Sequence, residues 1–110
     1  MKNKSILIKI DIEGFEYEAI KGGKSLLKEQ NPSIIMELHR NAIDKSDKLY
    51  DLLHEYGYQN IYSIQRKGFV TDKLLFKKLH FLKDNLHVLA IKDNNEILKK
   101  IKNNKILEDI

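Results

Sequence analysis

Four side chains that could carry acid–base chemistry lie at the ends of two apolar stretches. Asp11 and Glu13 follow the stretch "ILIKI", and Glu37 and His39 close the stretch "SIIMELH". Within each pair, a spacing of two residues keeps both side chains on one side of an extended chain. Carboxylates and an imidazole can position an acceptor molecule, take its proton or bind a divalent cation such as magnesium or calcium. Asp11, Glu13 and Glu37 would be the oxygen ligands of such a cation.

Structural roles compete with these chemical ones. Asp11 and Glu13 could close a turn beside Lys9, and His39 could be a hydrogen-bonded histidine at a strand end. Glu16 lies where a helix should begin, and a carboxylate there is favoured by the helix dipole. Buried carboxylates are costly unless they are paired or bind a ligand, so three carboxylates and a histidine at two strand ends favour a functional site.

Hydrophobic periodicity predicts the elements that position these groups. Strands are expected at "SILIKID", "SIIMELH", "QNIYSIQ" and "LHVLAIK", and the first two are apolar on both faces. Helical spacing covers residues 16–29, where Gly22 and Gly23 should divide the helix, and residues 44–58, where Gly57 should end it. This order predicts an open α/β sheet with parallel strands, whose carboxyl ends bring Asp11 and Glu37 together.

The remainder of the chain has weaker patterns. Residues 66–85 read as a loop with a short helix near Leu74–Leu79, and residues 93–110 read as a polar helical tail. We therefore expect one domain over residues 1–92, followed by the tail.

Composition restricts the class of protein. The 110 residues include no cysteine, which excludes disulfides and thiolate sites. The net charge of +4 comes from scattered lysines with only two arginines, so we expect no nucleic-acid partner. No apolar run approaches the ~20 residues that span a bilayer. Lys9 and Asp11 interrupt the apolar stretch near the N-terminus, so we do not expect it to act as a signal peptide. We expect a cytoplasmic protein.

The first 39 residues resemble the FkbM-type family of S-adenosylmethionine-dependent methyltransferases. Members carry the pattern K-I-D-V-E-G-x-E-x-x-V-L-x-G, then a helix and a strand ending E-x-H. The matching positions here are Lys9, Asp11, Glu13, Gly14, Glu16, Ile20, Gly22, Glu37 and His39. The segments "LYDLLHEYGY" and "NLHVLAIK" also resemble the family, so the likeness covers about Ile6 to Lys92 and is weak between Gly68 and Asn85. It implies an O-methyltransferase acting on a hydroxyl of a glycan, lipid or secondary metabolite, with Asp11, Glu13, Glu37 and His39 at the catalytic site.

The same resemblance implies a Rossmann-like fold in which this chain supplies the equivalents of strands four to seven, with an antiparallel last strand. The family's glycine-rich turn, which holds S-adenosylmethionine, is absent from the sequence, so the cofactor-binding residues are unknown. We therefore expect a fragment, the C-terminal half of the domain, that is inactive alone and self-associates through the exposed edge of its first strand. The alternative is a non-catalytic α/β binding or interaction module.

Overall fold

The computed structural model of the chain describes residues 6–12, 14–82, 85–93, 95–101 and 105–107. Glu13, one of the four predicted site residues, lies outside these ranges. The elements in chain order are β1 (Leu7–Ile10), α1 (Glu16–Gly22), α2 (Lys24–Gln30), β2 (Ser33–His39), a 3₁₀ segment (Arg40–Lys45), α3 (Ser46–Glu55), β3 (Asn60–Ser63), β4 (Gly68–Val70), α4 (Lys73–Leu82), β5 (Asn85–Ile91), α5 (Glu96–Ile101) and β6 (Lys105–Leu107). No helix in these ranges has the length and apolar character needed to cross a membrane.

Two glycines act where the sequence predicts. The first helical stretch divides at Gly23, which ends α1 and precedes α2. Gly57 follows α3 with a φ of 97°, a left-handed conformation that glycine adopts without the strain a Cβ would add. The local chemistry of the sequence is therefore sufficient to place these two helix ends.

The six strands form one mixed sheet in the order β1-β2-β5-β3-β4-β6. β1 and β2 are parallel neighbours, as predicted, and β4 pairs in parallel with β6. The pairs β2–β5, β3–β5 and β3–β4 are antiparallel. The prediction of a mostly parallel sheet is therefore wrong. The prediction fails because β5 lies between β2 and β3 and runs antiparallel to both of them. β2 and β3 run in the same direction but do not pair with each other.

Two strands of the sheet are not evident from the sequence. β4 forms a short hairpin with β3 inside a region expected to be a loop, and β6 joins the sheet from the polar tail. Each spans three residues, too few for an alternating pattern to stand out. The helix expected near Leu74–Leu79 is present and longer, since α4 spans Lys73–Leu82.

The core lies on one face of the sheet. Helices α1, α3 and α4 pack side by side there. Alternate strand residues point into this layer and are fully buried, among them Ile34, Met36, Leu38, Val88 and Ala90. Burial of this apolar surface is the main source of stability for a domain of this size.

The other face of the sheet is only half covered. Ile35, Glu37 and His39 are half-buried, and Leu7 on β1 is 52% exposed. Although both strands are apolar on both faces in sequence, this face of the sheet is not fully buried at these positions. Among the described strands β1 pairs with β2 alone, so its outer edge is open.

Candidate active site

Parallel pairing brings the ends of β1 and β2 to the same edge of the sheet. Ile10 is the register partner of Met36, so Asp11 lies beside Glu37, and its carboxylate Oδ1 is 3.8 Å from Nε2 of His39. One ligand atom from each of Asp11, Glu37 and His39 lies within 4.8 Å of the others. The predicted convergence is therefore present for three of the four residues, and Glu13 lies outside the described ranges. Their catalytic role stays a prediction.

A second histidine completes the cluster from β5. His87 is the register partner of Glu37 across the antiparallel β2–β5 pair, and its Nε2 is 3.6 Å from Oε1 of Glu37. The Gln65 side chain accepts a hydrogen bond from the His87 backbone N–H at 3.1 Å, so its amide nitrogen faces His87 Nδ1 at 2.7 Å. That nitrogen donates, which leaves Nε2 of a neutral His87 as the N–H that faces Glu37.

Nothing in the spacing of His87 along the chain indicates this role. Its contact with Glu37 depends on a strand pairing across 50 residues of sequence. The alternation of "LHVLAIK" does show that His87 shares a face with Leu89, but that alone does not name the partner strand.

His80 of α4 is buried and contacts the backbone at the end of β2. Its Nε2 lies 2.7 Å from the backbone carbonyl oxygen of His39, and since a carbonyl only accepts, Nε2 carries the proton. Its Nδ1 has no hydrogen-bond partner among the described residues. Burial lowers the pKa of His80 below its usual 6.5, because a proton on Nδ1 would add a charge in the core that the nearby Glu16 carboxylate offsets only in part. His80 is thus a positioning residue.

The turn after β1 is held by groups that do not face the cluster. Gly14 has a φ of 102°, and a Cβ there would lie 3.5 Å from the Asn41 side chain. The buried Glu16 carboxylate accepts hydrogen bonds from the backbone N–H groups of Gly14, at 3.1 Å, and Ile12, at 3.4 Å. These contacts support the structural role expected for Glu16 at the helix start.

Lys45 holds the same turn from the 3₁₀ segment. Its ammonium donates to the Gly14 carbonyl oxygen at 3.2 Å and pairs with the Glu18 carboxylate at 2.9 Å. The hydrogen bond from Lys45 lowers the pKa of Glu18. The side chains of Glu16 and Lys45 therefore hold Ile12 and Gly14 in place after Asp11.

The arrangement can exchange a proton with a bound hydroxyl group. A gap of 3.8 Å between Asp11 Oδ1 and His39 Nε2 is too long for a direct hydrogen bond. The Asp11 side chain is 42% exposed and open to solvent, but Nε2 of His39 is itself buried, so a hydroxyl group reaches it only after a neighbouring side chain moves. A carboxylate beside an imidazole compensates the charge that the ring gains on accepting a proton.

Asp11, Glu37 and His39 together offer a cation two carboxylate oxygens and one imidazole nitrogen. This mixed set suits manganese or zinc as well as magnesium. The sequence-based ligand set contained Glu13 in place of His39, and a divalent metal at this cluster stays a prediction.

The described residues do not fit an S-adenosylmethionine site of the usual kind. Such a site needs a glycine-rich turn between a strand and a helix. Gly22 and Gly23 lie at the junction of two helices instead, and Gly14 is the single glycine of the β1–α1 turn.

Comparison with known proteins gives one result. A family model described as the methyltransferase FkbM domain matches residues 2–59, which is more than half of the chain. The matched segment includes β1 and β2 and therefore Asp11, Glu37 and His39. No curated protein and no solved structure matches the chain.

Proposed function

The chain belongs to the FkbM methyltransferase family, and from this premise we propose that it forms the acceptor side of an S-adenosylmethionine-dependent O-methyltransferase. The acceptor is a hydroxyl group of a glycan, lipid or secondary metabolite. His39 takes the hydroxyl proton, and Asp11 orients the hydroxyl and compensates the imidazolium charge. The observation that carries the proposal is the position of both side chains, 3.8 Å apart, at the shared edge of two parallel strands.

The second carboxylate–histidine pair acts as a wall of the same site. Glu37 and His87 lie on the same half-covered face as Asp11 and His39, and Gln65 fixes the His87 ring. Two polar pairs on one face can hold two neighbouring hydroxyl groups of a polyol. This pattern supports a glycan-like acceptor rather than one with a single isolated hydroxyl.

A Rossmann-like methyltransferase fold is part of the proposal. The antiparallel pairing that the family resemblance implies for the last two strands is present between β3 and β5. The chain would then supply the equivalents of strands four to seven, which is the C-terminal half of the domain. Because the described residues do not fit the cofactor, the proposal covers the acceptor half of the reaction, and we infer that the chain alone is inactive.

Complementation tests this proposal directly. The chain is co-expressed with the glycine-rich half of another FkbM-family methyltransferase, and transfer of labelled methyl groups to glycan, lipid and polyketide acceptors is measured. Transfer should require both parts and should fall about 100-fold in His39→Gln, the typical contribution of a general base. Transfer that His39→Gln leaves unchanged would overturn the assignment of the base.

Calorimetry separates the enzyme from a non-catalytic binding module. Titration of the chain alone with S-adenosylmethionine should give no saturable heat. Saturable binding would show that the cofactor surface is present after all. Failure of every complementation, together with tight binding of a glycan or protein ligand, would favour the binding module.

A divalent cation at the cluster is a second candidate, favoured by the 4.8 Å grouping of Asp11, Glu37 and His39. Manganese is the suitable probe because it broadens nearby amide signals in NMR spectra. Broadening around these residues that Asp11→Asn abolishes would support a cation site. Equal, weak broadening over all exposed carboxylates would exclude a specific one.

A further inference from the structure

Helix α4 presents apolar side chains on the side that faces away from the protein. Its buried side carries Leu75, Phe76 and Leu79. On the opposite side Leu74 and Phe81, seven residues apart and therefore almost aligned along the helix, are 60% and 58% exposed. An exposed helix face is normally polar, so two large apolar residues at its centre need an explanation.

Lysines border this apolar ridge on both sides. At 100° per residue, Lys77 and Lys78 lie on either side of the line joining Leu74 and Phe81. Ile43 of the 3₁₀ segment and Leu82 extend the apolar surface into a shallow groove. The ten residues of α4 include no acidic side chain. We call this surface, formed by Ile43, Leu74, Lys77, Lys78, Phe81 and Leu82, the α4 face.

Hydrogen bonds from Arg40 hold the end of helix α4. Arg40 donates from Nε to the carbonyl oxygen of Phe81 at 2.7 Å and from Nη2 to that of Leu82 at 3.3 Å. These bonds satisfy carbonyl groups at the end of the helix, which otherwise lack partners. The exposure of Phe81 and Leu82 is therefore a property of an ordered helix end.

The lysines remain available to a partner. Lys77 is 3.7 Å from Asp47 of α3, but both side chains are about half exposed. Ion pairs of this kind contribute little to stability, so Lys77 can exchange Asp47 for another anion at small cost.

We propose that the α4 face docks on the surface of an anionic phospholipid bilayer. Leu74 and Phe81 enter the boundary between headgroups and acyl chains, while Lys77 and Lys78 reach the lipid phosphates. Charge decides between this partner and a second copy of the chain, since two α4 faces in contact would place like-charged lysines against each other.

Docking would leave the candidate site on the side of the sheet away from the membrane. His80 of α4 contacts the backbone of His39, whereas the side chains of Glu37 and His39 point to the half-covered face opposite the helices. The docking itself does not depend on the proposed methyl transfer.

Co-sedimentation with vesicles tests the proposal. We expect the chain to bind vesicles of equal parts phosphatidylcholine and phosphatidylglycerol, and to bind pure phosphatidylcholine far more weakly. Leu74→Ser with Phe81→Ser should weaken binding at least about tenfold for each apolar side chain lost. Lys77→Gln with Lys78→Gln should weaken it about fivefold per lysine.

The control is Leu26→Ser, because Leu26 on α2 is 50% exposed and lies outside the α4 face. It should bind like the wild type, and circular dichroism should show that all variants are folded. Absence of binding to the anionic vesicles, or binding that the Leu74 and Phe81 changes leave intact, would overturn the proposal. So would a dimer in light scattering that Phe81→Ser converts to monomers without any lipid binding.

Discussion

β1 and β2 run side by side in the same direction and both carry polar groups at their carboxyl ends, yet they are held in different ways. β2 has a neighbouring strand on each edge, and its core-facing residues are fully buried. Among the described strands β1 has one neighbour, and Leu7 is half exposed. The Glu37 and His39 side chains are therefore positioned by a strand, whereas Asp11 is positioned by the turn that follows it.

This difference shows that two equally apolar segments can bury different amounts of surface in the fold. An apolar sequence predicts a strand, but the number of neighbours determines how much of its surface is buried. The site combines Glu37 and His39 of β2, which has a neighbour on each edge, with Asp11 at the end of β1, which pairs with β2 alone among the described strands. The position of Asp11 therefore depends on the contacts of the β1–α1 turn. The predictions below test this division.

The largest effect is expected from truncation of the β2 core. Met36→Ala should lower the free energy of unfolding by about 2–5 kcal/mol, because a fully buried side chain leaves a cavity. Leu7→Ala on β1 should change it by less than about 0.5 kcal/mol, since Leu7 is half exposed. Urea unfolding of the two variants measures both values. Equal losses would contradict the contrast between the strands.

Removal of the Glu16 carboxylate should loosen the end of β1. Glu16→Ala leaves the buried backbone N–H of Gly14 without its acceptor and should cost about 1–3 kcal/mol. The amide signals of Asp11 and Ile12 should shift, while those of β2 should not. Glu29→Ala, an exposed change on α2, is the matched control. A Glu16→Ala protein with unchanged stability would show that the turn is held by other contacts.

Acidic pH should lower the free energy of unfolding through His80, which contacts the end of β2. Burial lowers the pKa of His80 from 6.5, so below that pH the unfolded chain binds a proton that the folded protein excludes. The stability contributed by neutral His80 is present above about pH 6.5 and is lost as the pH falls, by at most about 1.4 kcal/mol per pH unit.

Urea unfolding at several pH values checks this effect. The loss of stability between about pH 7.5 and about pH 5.5 should be smaller for His80→Asn than for the wild type. Identical slopes would mean that His80 does not contribute to the pH dependence of folding.

The smallest free-energy effect is expected at the open edge of β1. An uncovered strand edge with apolar side chains favours pairing with another chain, so we predict self-association at high protein concentration. Leu7→Lys should reduce it, because a charged side chain on an edge strand opposes such pairing. Light scattering over a concentration series measures the effect. A wild-type chain that stays monomeric throughout would contradict this prediction.

Much of the site-bearing region can be predicted from the sequence. The bounds of β2, the division of the first helix at Gly23 and the end of α3 at Gly57 follow from hydrophobic period and glycine conformation. The convergence of Asp11 with Glu37 and His39 follows from two strands whose connecting helices require parallel pairing. The helix and strand bounds follow from residues close together in the chain, and the convergence follows because consecutive strands joined by helices run in the same direction.

Other parts of the sheet and the site escape such prediction. β4 and β6 are too short for their pattern to be distinctive, and the insertion of β5 between β2 and β3 is what makes the sheet mixed. His80 and His87 join the site through contacts made across 41 and 50 residues of sequence. Sequence spacing contains no trace of either contact.

The amino-acid sequence alone therefore determines which residues can do chemistry here, and that Asp11, Glu37 and His39 stand at strand ends, because periodicity and turn chemistry act over a few residues. The tertiary structure decides their partners. It pairs Glu37 with His87, places His80 beneath His39 and leaves one face of the sheet half covered. These outcomes depend on which distant segments pack together, which is settled by burial of the whole core and not by any local pattern.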